Sequence, residues 1–332
     1  MKTEISEISW IDQLQHILQP NPEPTHSVID LFCGAGGFSL GFAAQGFRAY
    51  GIDRNADAVS TFNANVGDAK CMDLSCDVLL PMADVLIAGP PCQPWSRAGK
   101  KKGALDVRDG FPSISYAIRV VKPTVFVVEN VPDIALDHQR KHLDNFISQV
   151  GKGTYKINEI VMNASNYGVP QNRRRIFIFG VRDAKQVQIS IPCSHHISVR
   201  DAIADTCYDA PENARFLTKK MDQYIARYEK ASGCRLPRDL HLDRPARTLT
   251  VRNLAGATGD MMRLSLPCGR RRMLTVQEAA RLQSFPDWFH FTGSHQSQLT
   301  QIGNAVPPLL SLAIARQVRQ ILMSTTDTSK CI

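Results

Sequence analysis

The stretch SVIDLF (27–32), CGAGG (33–37), FSLGFAAQGF (38–47) and RAYGID (48–53) decides the fold. SVIDLF is a short β-rich run that stops at glycines, SLGFAAQGF reads as a helix closed by Gly46, and RAYGID reads as the next strand. Strand, glycine-rich turn, helix and second strand together open a doubly wound nucleotide-binding fold. Gly34, Ala35, Gly36 and Gly37 let the backbone approach a ligand closely and set amide groups at a helix N-terminus. Asp53 ends the second strand, 19 residues after Gly34, where an acid can accept both hydroxyls of a ribose. Taken alone the pattern fits NAD, FAD or S-adenosylmethionine, or a glycine turn with no ligand. Asp73, in CMDLSCD, is a further candidate for the edge of such a site, through an adenine amine, or else a solvated loop carboxylate.

Outward from this unit the alternation continues. ADVLIAGPP (83–91) is an apolar strand entering a Pro-Pro stop, SISYAIRVV (113–121) is helical, and PTVFVVENV (123–131) is nearly all apolar, as a strand covered on both faces should be. A helix over 137–149 precedes two late strands, YKINEIVMN (155–163) and RRRIFIFGV (173–181). The rhythm ends near residue 182, and residues 183–270 are more polar, with short runs and many arginines. QEAARLQSF (277–285) restores a helix, and PPLLSLAIARQVRQIL (307–322) is a closing amphipathic helix with proline at its start. Upstream, Ile5, Ile8, Ile11, Leu14, Ile17 and Leu18 form a helical stripe before the linker PNPEPT (20–25). The expectation is an α/β protein with a doubly wound, mostly parallel Rossmann-like sheet and a second, smaller irregular domain. An N-terminal helix and linker (1–26) precede a main domain of residues 27–182 plus 300–326, with 183–299 as the smaller one.

Composition narrows the class without choosing a function. The chain has 332 residues, 43% apolar and 21% charged, which is globular rather than disordered. Lys and Arg exceed Asp and Glu by 39 to 31, a net charge of +8 that suits a polyanionic partner. No run approaches the ~18 apolar residues of a membrane span, and the acidic start MKTEISEISW lacks the flank of an export signal. Nine scattered cysteines with no C-x-x-C pair argue against a disulfide framework or zinc ribbon, so a reduced, cytoplasmic setting is expected. Cys193, His195 and His196 have no further ligand at zinc-like spacing, so no metal is expected.

The chemistry-bearing residues lie at strand ends. Gly89-Pro90-Pro91-Cys92-Gln93-Pro94-Trp95-Ser96 holds a cysteine behind two prolines at the mouth of a strand, where open α/β sheets bind ligands. A thiolate there is a nucleophile favoured by positive neighbours, and Arg97 followed by Lys100, Lys101 and Lys102, interrupted by Gly99 and Gly103, suits a mobile basic flap. Glu129 closes TVFVVE beside apolar walls, where desolvation favours the protonated acid and lets it donate a proton. In Gln171-Asn172-Arg173-Arg174-Arg175, strand alternation puts Arg173 and Arg175 on one face, able to grip a base carbonyl or a phosphate, or else to form a solvated basic edge.

Taken in order, these segments resemble the C5-cytosine DNA methyltransferase family. Asp30 through Ser39 is similar to its cofactor motif, Gly89 through Ser96 to its catalytic motif, Glu129-Asn130-Val131 to its acid motif and Gln171 through Arg175 to its arginine motif. Arg272-Met273-Leu274-Thr275 with Glu278 through Gln283 and Phe285-Pro286 resembles the segment that organises a target-recognition domain, and Gly303 through Pro308 the last motif. The resemblance runs from about residue 28 to 322. It implies S-adenosylmethionine as cofactor, held by Phe32, Gly34, Ala35, Gly36 and Gly37, with Asp53 on the ribose (where the family often has glutamate), Asp73 on the adenine and Asn304 at the methionine end.

It also implies Cys92 as nucleophile on carbon-6 of a flipped cytosine, Glu129 at ring nitrogen-3, Arg175 on the base carbonyl and Arg173 as support for the catalytic loop. Duplex DNA with a short cytosine-bearing site is the implied partner, bound by a monomer that would be cytoplasmic, at the nucleoid if bacterial, and part of a restriction-modification or similar system. Gln93, Ser96, Arg97 and Lys100 would touch DNA from the loop, and Arg244, Arg247 and Arg252 from the small domain, among Arg238, Arg263, Thr248 and Thr250. A tRNA cytosine methyltransferase of the same family, a DNA-binding regulator without turnover and a nicotinamide oxidoreductase are the alternatives.

Overall fold

Seven strands form the central sheet of a computed structural model that describes residues 8–75, 78–91, 110–151, 153–184, 188–233, 238–256 and 258–328. They are β1 (His26–Leu31), β2 (Phe47–Asp53), β3 (Asp68–Cys71), β4 (Val85–Ala88), β5 (Val125–Asn130), β6 (Tyr155–Asn163) and β7 (Arg174–Arg182). Their order is β3-β2-β1-β4-β5-β7-β6, and β7 alone runs antiparallel to its neighbours. β4 and β5 are buried along their whole length, which explains their unbroken apolar sequences. The chain leaves β1 for β2 on one side and reaches β4 on the other, so the C-terminal ends of β1 and β4 flank the switch point where such sheets hold ligands.

Helices cover both faces. On one, α2 (Gly37–Ala44) and α11 (Pro308–Thr328) lay Phe38, Phe42, Leu310, Ile314 and Val318 over Val28, Val85, Val127 and Phe177. The two helices approach so closely that a Cβ on Gly41 would stand 2.3 Å from the Leu312 nitrogen, which is why a glycine sits there. The closing helix thus returns to the first half of the chain. On the other face, α4 (Phe111–Val121) and α5 (Asp137–Gly151) pack Ile114, Ile118, Leu143 and Phe146 against Ile29, Leu31, Leu86 and Phe126.

The polar stretch after residue 182 is more regular than its sequence suggested. It holds α6 (Val199–Ala202), α7 (Lys219–Ala231), α8 (Val251–Ala255), a two-stranded ladder of β8 (Arg263–Ser265) and β9 (Arg271–Met273), α9 (Val276–Leu282) and α10 (His295–Asn304). The 13-residue α7 buries only Ile225 among the residues of its own span, although Met221, Tyr224, Ile225 and Tyr228 recur at helical spacing. The N-terminal helix α1 (Trp10–Ile17) does act as a packing helix: Leu14, with Leu18 just beyond it, joins Leu40, Val199, Ile203, Leu249 and Phe285 in a third cluster. Burial of each such leucine contributes about 2 kcal/mol. Gln15 fastens the helix further, its carbonyl accepting from Trp288 Nε1 at 2.9 Å and its Oε1 from the Asp287 amide at 2.9 Å.

Candidate active site

The glycine turn begins with a backbone that side chains rarely adopt. Phe32 has φ +62°, and Gly34 and Gly36 follow at +52° and +92°. At Gly36 the φ and a Cβ 2.8 Å from Val66 Cγ2 would strain any side chain, whereas a Cβ on Gly34 would meet nothing within 4 Å, leaving room above the turn. Asp53, at the end of β2, accepts from the Gly34 amide at 2.9 Å through Oδ2 and from the Asn55 amide at 2.8 Å through Oδ1. Each oxygen keeps spare acceptor capacity and the residue is half-buried. Asp73 is exposed just after β3, whose Cys71 lies beside Asp53 in register.

Asn304, exposed at the end of α10, joins the same neighbourhood because a Cβ on Gly37 would lie 2.4 Å from the Val306 carbonyl oxygen. Ala35 is buried, and the Phe32 ring and Pro90 both crowd Gly110, at 2.8 and 2.7 Å from the Cβ it lacks. Phe32 therefore links the turn to the end of β4. The sequence reading overlooked Asp30, one residue inside β1. Burial pushes its carboxyl up to about 8, only partly offset by the Ser39 hydroxyl, which donates to it at 2.7 Å, while Asp53 adds to the rise. A lone acid in SVIDL was the available signal.

At the reactive end, Ala88 and Val128 pair in parallel, so Gly89 lies beside Glu129: a Cβ on Gly89 would be 3.8 Å from Glu129 Oε2. Glu129 is buried among the apolar residues expected, but it also faces a guanidinium: Arg175 Nε stands 2.8 Å from its Oε1. The antiparallel return of β7 makes this pair, with Arg175 two positions before Phe177, the register partner of Glu129. Cys92, Gln93, Ser96, Arg97 and Lys100 lie outside the described residues.

Arg173 and Arg175 do not converge on one ligand. Arg173 is buried and turns to the backbone, donating through Nη1 to the carbonyl of Leu249 at 2.8 Å and of Gly303 at 3.4 Å. It belongs to a strap that binds residues 246–250 to the approach of β7. The Ala246 amide donates to Pro170 at 2.9 Å, the Asn172 amide to Ala246 at 2.7 Å, and the Leu249 amide to Gln171 Oε1 at 2.9 Å. Gln171 Nε2 in turn bonds the Leu282 carbonyl and Gln283, whose own Nε2 donates to the carbonyls of Ile302 and Ala305. Sequence reasoning assigned no role to Gln171 or Gln283; a glutamine closing the apolar run EAARLQ was the only clue.

The small-region arginines separate clearly. Arg263 is fully buried, bonded to Glu229 and Asp239, and holds structure rather than facing outward. Arg272 is equally buried against Glu278. Arg247 is half-buried, with Nη1 3.1 Å from Asp260 Oδ1, and burial lowers its pKa while Asp260 opposes the shift. Arg238 shares that oxygen at 2.8 Å. Arg244 is exposed beside Asp243 at 3.4 Å, and Arg252, with a side chain 61% exposed, stands 3.9 Å from Asp260 Oδ2. Among the described residues no three His, Cys, Asp or Glu side chains cluster as a metal site, and no helix is long and apolar enough to cross a membrane.

Residues 26–320, which carry the turn, the acid–arginine pair and the strap, match one family model: C-5 cytosine-specific DNA methylase. The chain belongs to this family. The methyltransferase is 48% identical over 298 residues to the type II methyltransferase M.AplI of Arthrospira platensis, covering 89% of this chain and 86% of the relative. It is 35% identical to M1.HphI of Haemophilus parahaemolyticus, covering 90% and 87%. Its fold is similar to that of Dnmt2 methyltransferase from S. pombe, with a TM-score of 0.67 at 17% identity over 89% of this chain and 99% of the other. The Entamoeba histolytica methyltransferase EhMeth gives 0.66 at 16% identity over 91% and 99%. The protein is thus an enzyme, a DNA cytosine methyltransferase, of a family that uses S-adenosylmethionine.

Proposed function

We propose that this methyltransferase transfers a methyl group to carbon-5 of a cytosine swung out of duplex DNA, through a transient bond between Cys92 and carbon-6. We further propose that it modifies a short site as the protective half of a type II restriction-modification system, as the names of its relatives suggest. The observation that carries the reading is the Glu129–Arg175 pair beside Gly89, where Pro90 and Pro91 lead in sequence to Cys92.

The residues at the glycine turn fit S-adenosylmethionine. Open space above Gly34, spare acceptor capacity on Asp53 and the exposed Asp73 and Asn304 suit its methionine, ribose and adenine parts. When bound, the cofactor supplies an electrophilic methyl group on a cationic sulfur. Phe32, Ala35, Gly36 and Gly37 shape and rigidify this cradle.

Carbon-5 of cytosine is a poor nucleophile until its ring is activated. The Cys92 thiolate adds to carbon-6, and the displaced electron pair moves toward carbon-5 while Glu129 delivers a proton to nitrogen-3. Arg175, beside Glu129, holds the base carbonyl in the same plane. After methyl transfer a base removes the carbon-5 proton, the carbon-6–sulfur bond breaks, thiolate leaves and nitrogen-3 returns its proton. Arg173 acts at one remove, by fixing the Leu249 and Gly303 backbones. Extruding the base costs roughly a few kcal/mol. Gln93, Ser96, Arg97 and Lys100 are the DNA-contacting residues of the segment after Cys92, and Arg244 and Arg247 add positive charge, which makes binding salt-dependent.

Incubation with unmethylated duplex DNA and cofactor labelled in its methyl group tests this. Label recovered as 5-methylcytosine, and lost in Cys92→Ser with cofactor binding retained, is expected. Label recovered from tRNA alone, or as a methylated adenine, contradicts the proposal. Bisulfite sequencing of the product DNA then gives the site.

A further inference from the structure

Arg252 combines a fixed backbone with a guanidinium left available. Its backbone is held from three sides. Thr250 and Asn253 form a capping box around α8, and Asn253 Nδ2 also donates to the Thr248 carbonyl at 2.9 Å. The strap fixes Leu249 to Gln171 and Arg173. Gly303 completes the clamp, its missing Cβ leaving the Val251 nitrogen 2.6 Å from where that atom would stand. Arg252 is therefore three residues from a point anchored to the segment that leads into Arg175 and Glu129.

The side chain is aligned without being consumed. Arg238 and Arg247 share Asp260 Oδ1 at hydrogen-bonding distance, and Arg247 also bonds the carbonyls of Asp260 and Met261. Arg252 faces the other oxygen at 3.9 Å, beyond hydrogen-bonding distance, and is the most exposed of the three. Asp260 carries one charge against three guanidiniums, so the cluster stays attractive to DNA, and the planar Arg252 fork, not hydrogen-bonded to Asp260, suits an edge with two acceptors. Guanine offers one, N7 and O6, in the major groove.

We propose that Arg252 reads a guanine of the target site, held in register with the Glu129 mouth by the 246–250 strap. The inference rests on the proposal that the enzyme methylates duplex DNA. The test uses the full chain and its mapped site, in duplexes where each guanine in turn is replaced by 7-deazaguanine, which lacks only the N7 acceptor. At one position the replacement is expected to slow the wild type about tenfold. The same replacement leaves Arg252→Ala no slower than it is on the unmodified site, with a methylation map that becomes degenerate there, whereas Arg252→Lys, whose ammonium can still donate to N7, keeps part of the effect. The proposal is overturned if Arg252→Ala slows every duplex equally and keeps every 7-deazaguanine effect, while the slope of log affinity against log salt falls by about one, the signature of a phosphate contact. It is equally overturned if the variants match the wild type throughout. A wild type that labels no duplex at all overturns the functional proposal itself, a result distinct from either.

Discussion

Two of the glutamate–arginine pairs among the described residues differ in how much of each carboxylate is already used. Glu278 faces Arg272 with side chains 2% and 0% exposed, and accepts from two guanidinium nitrogens, the Thr206 hydroxyl, and the amide and hydroxyl of Thr275. Burial raises its pKa, but these bonds more than reverse the rise and hold it below its ordinary value. Glu129 and Arg175 retain 11% and 13% exposure, and the contact seen between them among the described residues is a single ion pair. The same residue types thus serve opposite ends. A saturated pair locks the loop into α9 and has nothing left to offer a ligand, whereas an undersaturated pair at a strand mouth can still meet a base.

Breaking the open pair should cost chemistry. Glu129→Gln is expected to lower the rate of methyl transfer by about 10²–10⁴-fold, the range for loss of a general acid. Its unfolding midpoint in urea should shift far less than that of the second variant. Glu278→Ala strands Arg272 without its partner in the interior, and breaking such a pair costs about 3–5 kcal/mol in chemical denaturation.

The smallest effect sharpens the comparison with a third acid. Asp30 is as buried as Glu278 but, among the described residues, its carboxylate accepts only from the Ser39 hydroxyl, so burial leaves its folded pKa near 8, above the ordinary 3.8. Between those values the folded state binds the extra proton, so stability contributed by Asp30 falls as pH rises from about 4 to 8. Glu278 has the opposite sign: its contribution is present above the ordinary 4.5 and is lost on acidification. Stability of Asp30→Asn relative to the wild type should therefore grow across pH 4 to 8, read by urea unfolding at each pH. A flat difference would show that Asp30 is ionised in the folded state.

The sheet was legible in the sequence because central strands must be apolar on both faces, and VLIA and VFVV can be little else. β3 escaped notice because DAKC is a short polar edge strand with no residue fully buried. The site was legible at strand ends, where Asp53 and Glu129 interrupt apolar runs. The division of labour among the arginines was not. Whether Arg263 is buried or offered to DNA depends on Glu229 and Asp239, 34 and 24 residues away, and the Gln171–Gln283 link spans 112 residues. Such pairings follow from the assembled fold, and no local spacing encodes them.

Covalent trapping tests the central claim most directly. Duplex DNA carrying 5-fluorocytosine at the target blocks the final proton loss, so the bond from Cys92 to carbon-6 should persist. A denaturation-resistant protein–DNA complex that forms with cofactor, maps to Cys92 and disappears in Cys92→Ser is the predicted result. Methyl transfer to ordinary DNA with no trapped complex on the fluorinated duplex, or a complex that survives Cys92→Ser, would contradict it.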